Sequence, residues 1–310
     1  MHALVTGAGG FLGRHIVSAL IAHGVMVSAL DRAFDPDLIQ CWGSAVTAIV
    51  SEVHDLPELP VNLVIHAAAI TALPGEVGMS PEAHLRANLD PALQILEWAA
   101  ARNAGVVLFS SAAVIRDYLR PVSEFVPLEP VGVYAIAKAA MEWIAETWRF
   151  EYQRPVVCLR LSGVYGEGEI ARESRPRVSL VARYIQQALT MGRIEVYHPD
   201  SARDWTYAPD IGEALWCLLQ AEFGEAALYN VASEQVVTAL QVAEAVRAAL
   251  PEVEIVVIKG DEPGQLPPIQ RGALTNDRLL ATTSFVDWTP FRQGVANVVA
   301  DVKRRLGGAP

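Results

Sequence analysis

Three side chains have the types and spacing to move a proton and steady a developing charge. In "VYAIAKAAMEWIAETW" the pattern is helical, and residues four apart share a helix face, so Tyr134 and Lys138 project together. A phenol with its ordinary pKa of about 10 holds its proton at neutral pH. A neighbouring ammonium favours the phenolate, which makes the pair a general base for a substrate hydroxyl. Ser111 closes the apolar run of "VVLFSSAAVIRD", where a hydroxyl would donate to the oxygen whose charge changes. Read alone, the pair also fits an ordinary helix with a half-buried tyrosine and a solvated lysine. What else the chain brings to that point decides between the two.

The first strand runs into "TGAGGFLGRHI", with Gly7, Gly10 and Gly13 around Phe11 and Leu12. A glycine allows a tight turn, a second lets backbone approach a pyrophosphate, and a third lets the helix pack close to the strand. Asp31 follows 18 residues after Gly13, at the end of "VMVSALD". A carboxylate there accepts from ribose hydroxyls and repels a 2′-phosphate, which favours NAD over NADP. Arg32, next in the chain, is the one residue that would suit a 2′-phosphate instead.

The elements that must position these residues alternate. Near-continuous apolar runs, "HALVT", "VMVSAL", "VTAIV", "LVIHA", "VVLFS" and "VVCLRL", read as strands covered on both faces. Helical stretches lie between most of them, including Gly13–Gly24 and "PEAHLRANLDPALQILEWAAARN". This predicts an α/β fold: a Rossmann-type doubly wound parallel sheet over residues 1–165, with a smaller mixed α/β substrate-binding part over 166–310. In that second part "SLVARYIQQALTMG" reads as a helix, "RIEVY" and "VEIVVI" read as strands, and Thr238 with Gln241 forms a capping box.

Composition removes several classes. The chain has 310 residues, 52% of them hydrophobic and 19% charged, so it can bury a large core. A net charge of −11 argues against a broad nucleic-acid surface. No apolar run reaches the roughly 18 residues a membrane helix needs. The start, "MHALVTGAGG", enters a strand at once and has no signal core, so a cytoplasmic protein is expected. Cys41, Cys158 and Cys217 are far apart, and the seven histidines show no ligand spacing, so no metal is expected. His66 reads as a polar strand end. Neither G-x-S-x-G nor a P-loop is found.

Taken together, "TGAGGFLG", "ALDR", "HAAA", "FSSAAV", the Tyr134/Lys138 pair, "LRLSGVYG", "RDWTYAPDI" and "YNVAS" resemble the extended short-chain dehydrogenase/reductases, the NAD-dependent epimerase/dehydratase family. The resemblance runs almost end to end. It implies bound NAD, with Ser111 as the catalytic hydroxyl and Lys138 on the nicotinamide ribose. It also implies Asp55 and Leu56 at the adenine, Ala67, Ala68 and Ala69 under the cofactor, Asn88 in support, and Ser110 and Leu161 on the cofactor side. Residues from about 205 to 232 would return to the main sheet. Thr71, Ser162 and Gly163 would face the substrate, with Arg203 and Arg271 clamping a diphosphate through their planar forks. A homodimer built from two helices per subunit is also implied.

The residues after Ser111 bear on the reaction. Dehydratases of the family carry an Asp-Glu pair there, and its decarboxylases a Glu just before the valine. This chain has Ala112 and Ala113, whose methyl groups transfer no proton, and it lacks the cysteine of two-site epimerase-reductases. What is left is hydride transfer at a carbinol. A nucleotide-sugar epimerase is favoured, with an NAD-dependent dehydrogenase of a free sugar, sugar acid or polyol close behind. A non-catalytic NAD sensor is a distant third. Gly163 stands where many relatives carry a substrate-binding Asn, and Val114-Ile115-Arg116 replaces the usual Val-Tyr-Gly, so the substrate stays open.

Overall fold

The computed structural model describes residues 1–116, 118–262 and 270–307. The strands are β1 (His2–Thr6), β2 (Met26–Asp31), β3 (Val46–Val50), β4 (Leu63–His66), β5 (Gly105–Ser111), β6 (Val156–Leu161), β7 (Gly163–Tyr165), β8 (Arg193–Val196), β9 (Ala202–Tyr207), β10 (Leu228–Val231), β11 (Val236–Thr238) and β12 (Glu254–Val257). The helices are α1 (Phe11–Ala22), α2 (Pro36–Trp42), α3 (Pro81–Ala100), α4 (Val133–Phe150), α5 (Leu180–Met191), α6 (Ala208–Gln220), α7 (Ala239–Ala249), α8 (Asp277–Thr283) and α9 (Phe291–Gly307). Part of the predicted Pro- and Gly-rich stretch "EPGQLPP" lies outside the described residues.

Seven strands form one sheet in the order β10-β6-β5-β4-β1-β2-β3, and every neighbouring pair is parallel. Parallel strands need crossovers, and here helices supply most of them and cover both faces. Helices α1 and α6 pack together over one face, where Val5, Ile16, Leu20, Ile65, Leu159 and Leu215 share a core. Helices α3 and α4 cover the other, over Leu4, Val64, Ile95, Leu108 and Met141. Strand alternation explains the division: Leu4 and Val5 are neighbours in β1 and belong to opposite cores.

Two small sheets complete the molecule, β11-β9-β7 and the parallel pair β12-β8. Helices α5, α7 and α9 share a separate core with them through Tyr184, Ile194, Trp205, Val246 and Val295. The chain passes between the parts. Strand β9 lies in a small sheet, α6 packs on α1, and β10 forms an edge of the main sheet. Thr238 and Gln241 form the capping box at α7, at 3.2 and 2.8 Å.

Helix α1 starts at Phe11 rather than at Gly13. Gly10 is its N-cap, and the Gly10 N–H donates to the Gly7 carbonyl at 3.0 Å, so the turn feeds directly into the helix. Asp31 is the last residue of β2 rather than the first beyond it.

Candidate active site

The ends of β1, β2, β4 and β5 lie together on the carboxyl edge of the sheet, and strand order reverses between β1 and β4. Parallel sheets bind ligands at such a crevice. Gly7 has φ +70°, and a Cβ there would sit 2.5 Å from the Ala68 nitrogen. A Cβ on Gly13 would meet the Gly7 carbonyl oxygen at 2.1 Å, and one on Gly10 would meet it at 2.9 Å. The turn, the start of α1 and the Ala67–Ala68 backbone therefore touch without side chains between them. Asp31 is held at the rim: Oδ2 accepts from the Gly9 N–H at 2.9 Å and Oδ1 from the Arg32 N–H at 2.8 Å. Each oxygen keeps lone-pair capacity for a ribose hydroxyl. The cradle and its carboxylate fit a dinucleotide.

The other expected cofactor residues are placed as follows. Asn88, buried in α3, accepts from the Ile70 N–H at 3.0 Å and donates to the Ile70 carbonyl at 3.2 Å, which fixes the loop after Ala69. Asp55 is exposed in a short turn, and its carbonyl accepts from the Ser51 hydroxyl. Leu56 packs against the α3–α4 core, while Leu12 and Leu161 belong to the α1–α6 core. Arg32 is exposed.

Ser110 is engaged inside the fold. Its side chain is buried and donates to Glu142 Oε1 at 2.6 Å, beneath α4. Alternation along β5 is the reason, since neighbours in a strand point to opposite faces.

Ser111, Tyr134 and Lys138 do come together. The Ser111 hydroxyl lies on the side of Tyr134 where it favours the phenolate. It also accepts from the Ala113 N–H at 3.2 Å. Lys138 is buried, with Nζ 5.7 Å from the centre of the Tyr134 ring and 3.7 Å from Met141 Sδ. The expectation that Lys138 lowers the Tyr134 pKa needs correction. Burial raises Tyr134, and the groups that oppose this are Ser111, Arg175 and Arg271. Lys138 is itself lowered to about 8 by burial, which weakens it as a permanent charge.

On the substrate side, Arg203 in β9 is lowered to about 10, chiefly by burial and then by Arg271. A guanidinium depressed by a second one beside it is a chemistry that suits an anion. Arg271 lies in a strap, where its N–H donates to the Ala202 carbonyl at 3.1 Å and Gly272 donates to the Tyr118 carbonyl at 2.7 Å. A Cβ on Gly163 would meet the Asp204 carbonyl at 2.9 Å and Arg203 Cδ at 3.1 Å, so the asparagine of many relatives would not fit without movement. Ser162 is buried and shares a hydrogen bond of 2.7 Å with Thr206, and it is occupied inside the fold. Thr71 is exposed, and its N–H donates to the Ser174 carbonyl at 3.0 Å.

Sequence reasoning missed two residues. Glu142 sits four positions beyond Lys138 on the buried face of α4; an acid on an apolar face was the available signal. Arg175 pairs with Glu169, lies 4.5 Å over the Phe11 ring and acts on Tyr134. Its buried Nη1 has no hydrogen-bond partner among the described residues. No local spacing ties that loop to α4, so nothing in the sequence pointed to it. His66, read as a polar strand end, closes β4 in that way: its Nδ1 shares a 2.7 Å hydrogen bond with Thr6, and burial lowers it to about 3, so it is neutral. Among the described residues no group of three His, Cys, Asp or Glu is placed to hold a metal.

The profile of the NAD dependent epimerase/dehydratase family matches residues 3–232. The chain belongs to that family. It is similar to a UDP-glucose 4-epimerase of Lactobacillus helveticus, at 23% identity over 97% of this chain and 95% of the relative. It is also similar to UDP-glucuronic acid decarboxylase 6 of Arabidopsis thaliana, at 26% identity over 99% and 90%. Among solved structures, MoeE5 in complex with UDP-glucuronic acid and NAD matches with TM-score 0.81 and 25% identity, covering 98% of this chain and 100% of that one. Family members are NAD-dependent enzymes, and NAD is the cofactor the glycine cradle and Asp31 fit. The relatives include a decarboxylase, so likeness alone does not separate hydride transfer from decarboxylation.

Proposed function

We propose that this family member transfers a hydride at a carbinol carbon of a nucleotide sugar and works as an epimerase. The observation that carries the reading is the Ser111–Tyr134–Lys138 group beside the NAD cradle, followed by Ala112 and Ala113. When bound, NAD would supply the hydride acceptor and, for an epimerase, the hydride source for reduction on the other face of the sugar. Tyr134 takes the proton of the substrate hydroxyl. Ser111 donates to the same oxygen as its charge changes, and Lys138 anchors the nicotinamide ribose. Gly7, Gly10, Gly13 and Asp31 hold the dinucleotide. The alanine methyls offer no acid for elimination or decarboxylation at that position.

Arg203 and Arg271 support a diphosphate-bearing substrate. Arg175 supports a sugar that carries its own negative charge, like the UDP-glucuronic acid bound to the related MoeE5. Glu169 engages one of its nitrogens and leaves Nη1 to be satisfied. The apolar stripe Ile136, Trp143 and Phe150, seven residues apart on α4, supports a homodimer, with exposed Leu93 on the adjoining α3. A cytoplasmic location is part of the same proposal.

The test incubates purified protein with UDP-glucose and with UDP-glucuronic acid, following products and NADH absorbance. An isomeric sugar with no net NADH is expected, and Tyr134→Phe should cut turnover by about a hundredfold or more while still binding NAD. Stoichiometric NADH would replace the epimerase with the dehydrogenase, and release of carbon dioxide would overturn the argument from the alanines.

A further inference from the structure

We propose that Glu142 is a positioning residue for this site, acting with Ser110 and Arg160 to lock α4 against the end of β5. It rests on the proposed hydride-transfer reading and adds residues that make no contact with the reacting atoms.

The reacting side chains come from two elements, Ser111 from β5 and Tyr134 and Lys138 from α4. One carboxylate joins both elements to a third. Glu142 Oε1 accepts from the Ser110 hydroxyl at 2.6 Å and from Arg160 Nε at 2.8 Å, and Oε2 accepts from Arg160 Nη2 at 2.6 Å. Arg160 lies in β6, beside β5, and reaches Asn230 of β10 at 3.4 Å. Ser110, Glu142 and Arg160 are all buried, Arg160 completely. The Ser110 hydroxyl also lies 3.4 Å from the backbone carbonyl oxygen of Lys138 itself.

Energy alone does not explain such a pair. Burying an ion pair costs several kcal/mol in desolvation, and well-packed apolar residues often hold elements together as well. A bidentate pair that also receives a hydroxyl adds direction. Apolar packing tolerates a helix sliding by a fraction of an ångström, but a forked guanidinium on a carboxylate does not. Hydride transfer needs that precision, because a displacement of about 1 Å can cost about a hundredfold in rate. Ser110 and Ser111 are consecutive in a strand and face opposite ways. Fixing Ser110 on Glu142 therefore fixes the strand end that carries Ser111 relative to the helix that carries Tyr134. A shift of that strand end would weaken the influence of Ser111 that opposes burial and favours the Tyr134 phenolate.

The experiment compares wild type with Ser110→Ala, Ser110→Thr and Glu142→Gln in NAD-loaded protein. The titration of Tyr134 is read from phenolate absorbance by difference against Tyr134→Phe, and kcat and KM are measured with UDP-glucose and UDP-glucuronic acid. In Ser110→Ala, Tyr134 should titrate at higher pH and kcat should fall about tenfold with KM within about twofold. Ser110→Thr should restore both. Glu142→Gln should act in the same direction and further; if it fails to fold, Ser110→Ala decides. A Ser110→Ala protein that loses thermal stability but keeps wild-type Tyr134 titration and kcat would reduce the cluster to a structural one and overturn the proposal. If wild type turns over neither sugar while the Tyr134 titration still shifts, the reaction reading fails and the positioning role stands.

Discussion

At the scale of single residues, the site is built from groups whose charge the fold has altered. Asp204 is the plainest case. It is buried in β9 beside Arg203, and its Oδ2 accepts from the Leu274 N–H at 3.1 Å, tying down the strap that carries Arg271. Burial pushes its pKa up to about 7, with Glu234 adding to the rise and the Leu274 hydrogen bond opposing it. The folded pKa is above the unfolded one, so folding favours the protonated acid. That contribution is full below about pH 4 and is lost as pH rises through about 7. Asp204→Asn keeps an acceptor for Leu274 and removes the titration. Between about pH 4 and pH 8 its stability relative to wild type should therefore rise, by up to roughly 4 kcal/mol at about 1.4 kcal/mol per unit. Chemical denaturation across that range checks this, and parallel stability curves would refute it. Nothing in "ARDWTYAPD" marks that acid as buried, because its surroundings come from strands and straps distant in the chain. Tyr134 and Lys138 were legible because one helical turn relates them. Glu142 was not, since its partners lie 32 residues before it and 18 after.

At the scale of elements, the fold depends on backbones meeting where side chains are absent. The oxygen of Gly7 occupies the space a Cβ on Gly13 would need, at 2.1 Å, and Ala8 Cα is 2.8 Å from the same point. Gly13→Ala must push α1 off the turn or distort the turn itself. A stability loss of about 1–3 kcal/mol is expected, as for other overpacked sites, together with at least tenfold weaker NAD binding as the cradle opens. Thermal denaturation and calorimetric titration with NAD read these two effects. Wild-type affinity in the variant would show that α1 and the turn are not rigidly coupled. The same glycines made this element visible in the sequence, and long apolar runs did so for β1 to β6. The three-residue strands β7 and β11 were not visible, because so short a segment carries no period. Their partner β9 lies about 40 residues from β7, so only the folded chain brings them together.

At the scale of the whole molecule, the two-layered covering of the sheet leaves one face unfinished. Helix α4 buries Ala137, Lys138, Met141 and Ala145 against the strands and turns Ile136, Trp143 and Phe150 outward. The helix that aims Tyr134 therefore also presents an apolar stripe, a surface monomers seldom leave bare. The proposed homodimer would cover it with a second copy of the chain, since a two-fold axis matches the stripe with itself. The sequence pattern gave the helix but neither the stripe nor which side of α4 the sheet would take; that was set once Glu142 and Lys138 turned inward. If the stripe is the centre of a dimer, Trp143 is its largest apolar anchor, and such anchors are worth about 2 kcal/mol or more when truncated. Trp143→Glu should weaken association by about thirtyfold or more and give monomers in sedimentation velocity at concentrations where wild type is dimeric. Turnover should fall less than association, because Tyr134 and Lys138 lie on the opposite, sheet-facing side of α4. A wild-type monomer at all concentrations, or a Trp143→Glu dimer as tight as wild type, would place the partner elsewhere or remove it.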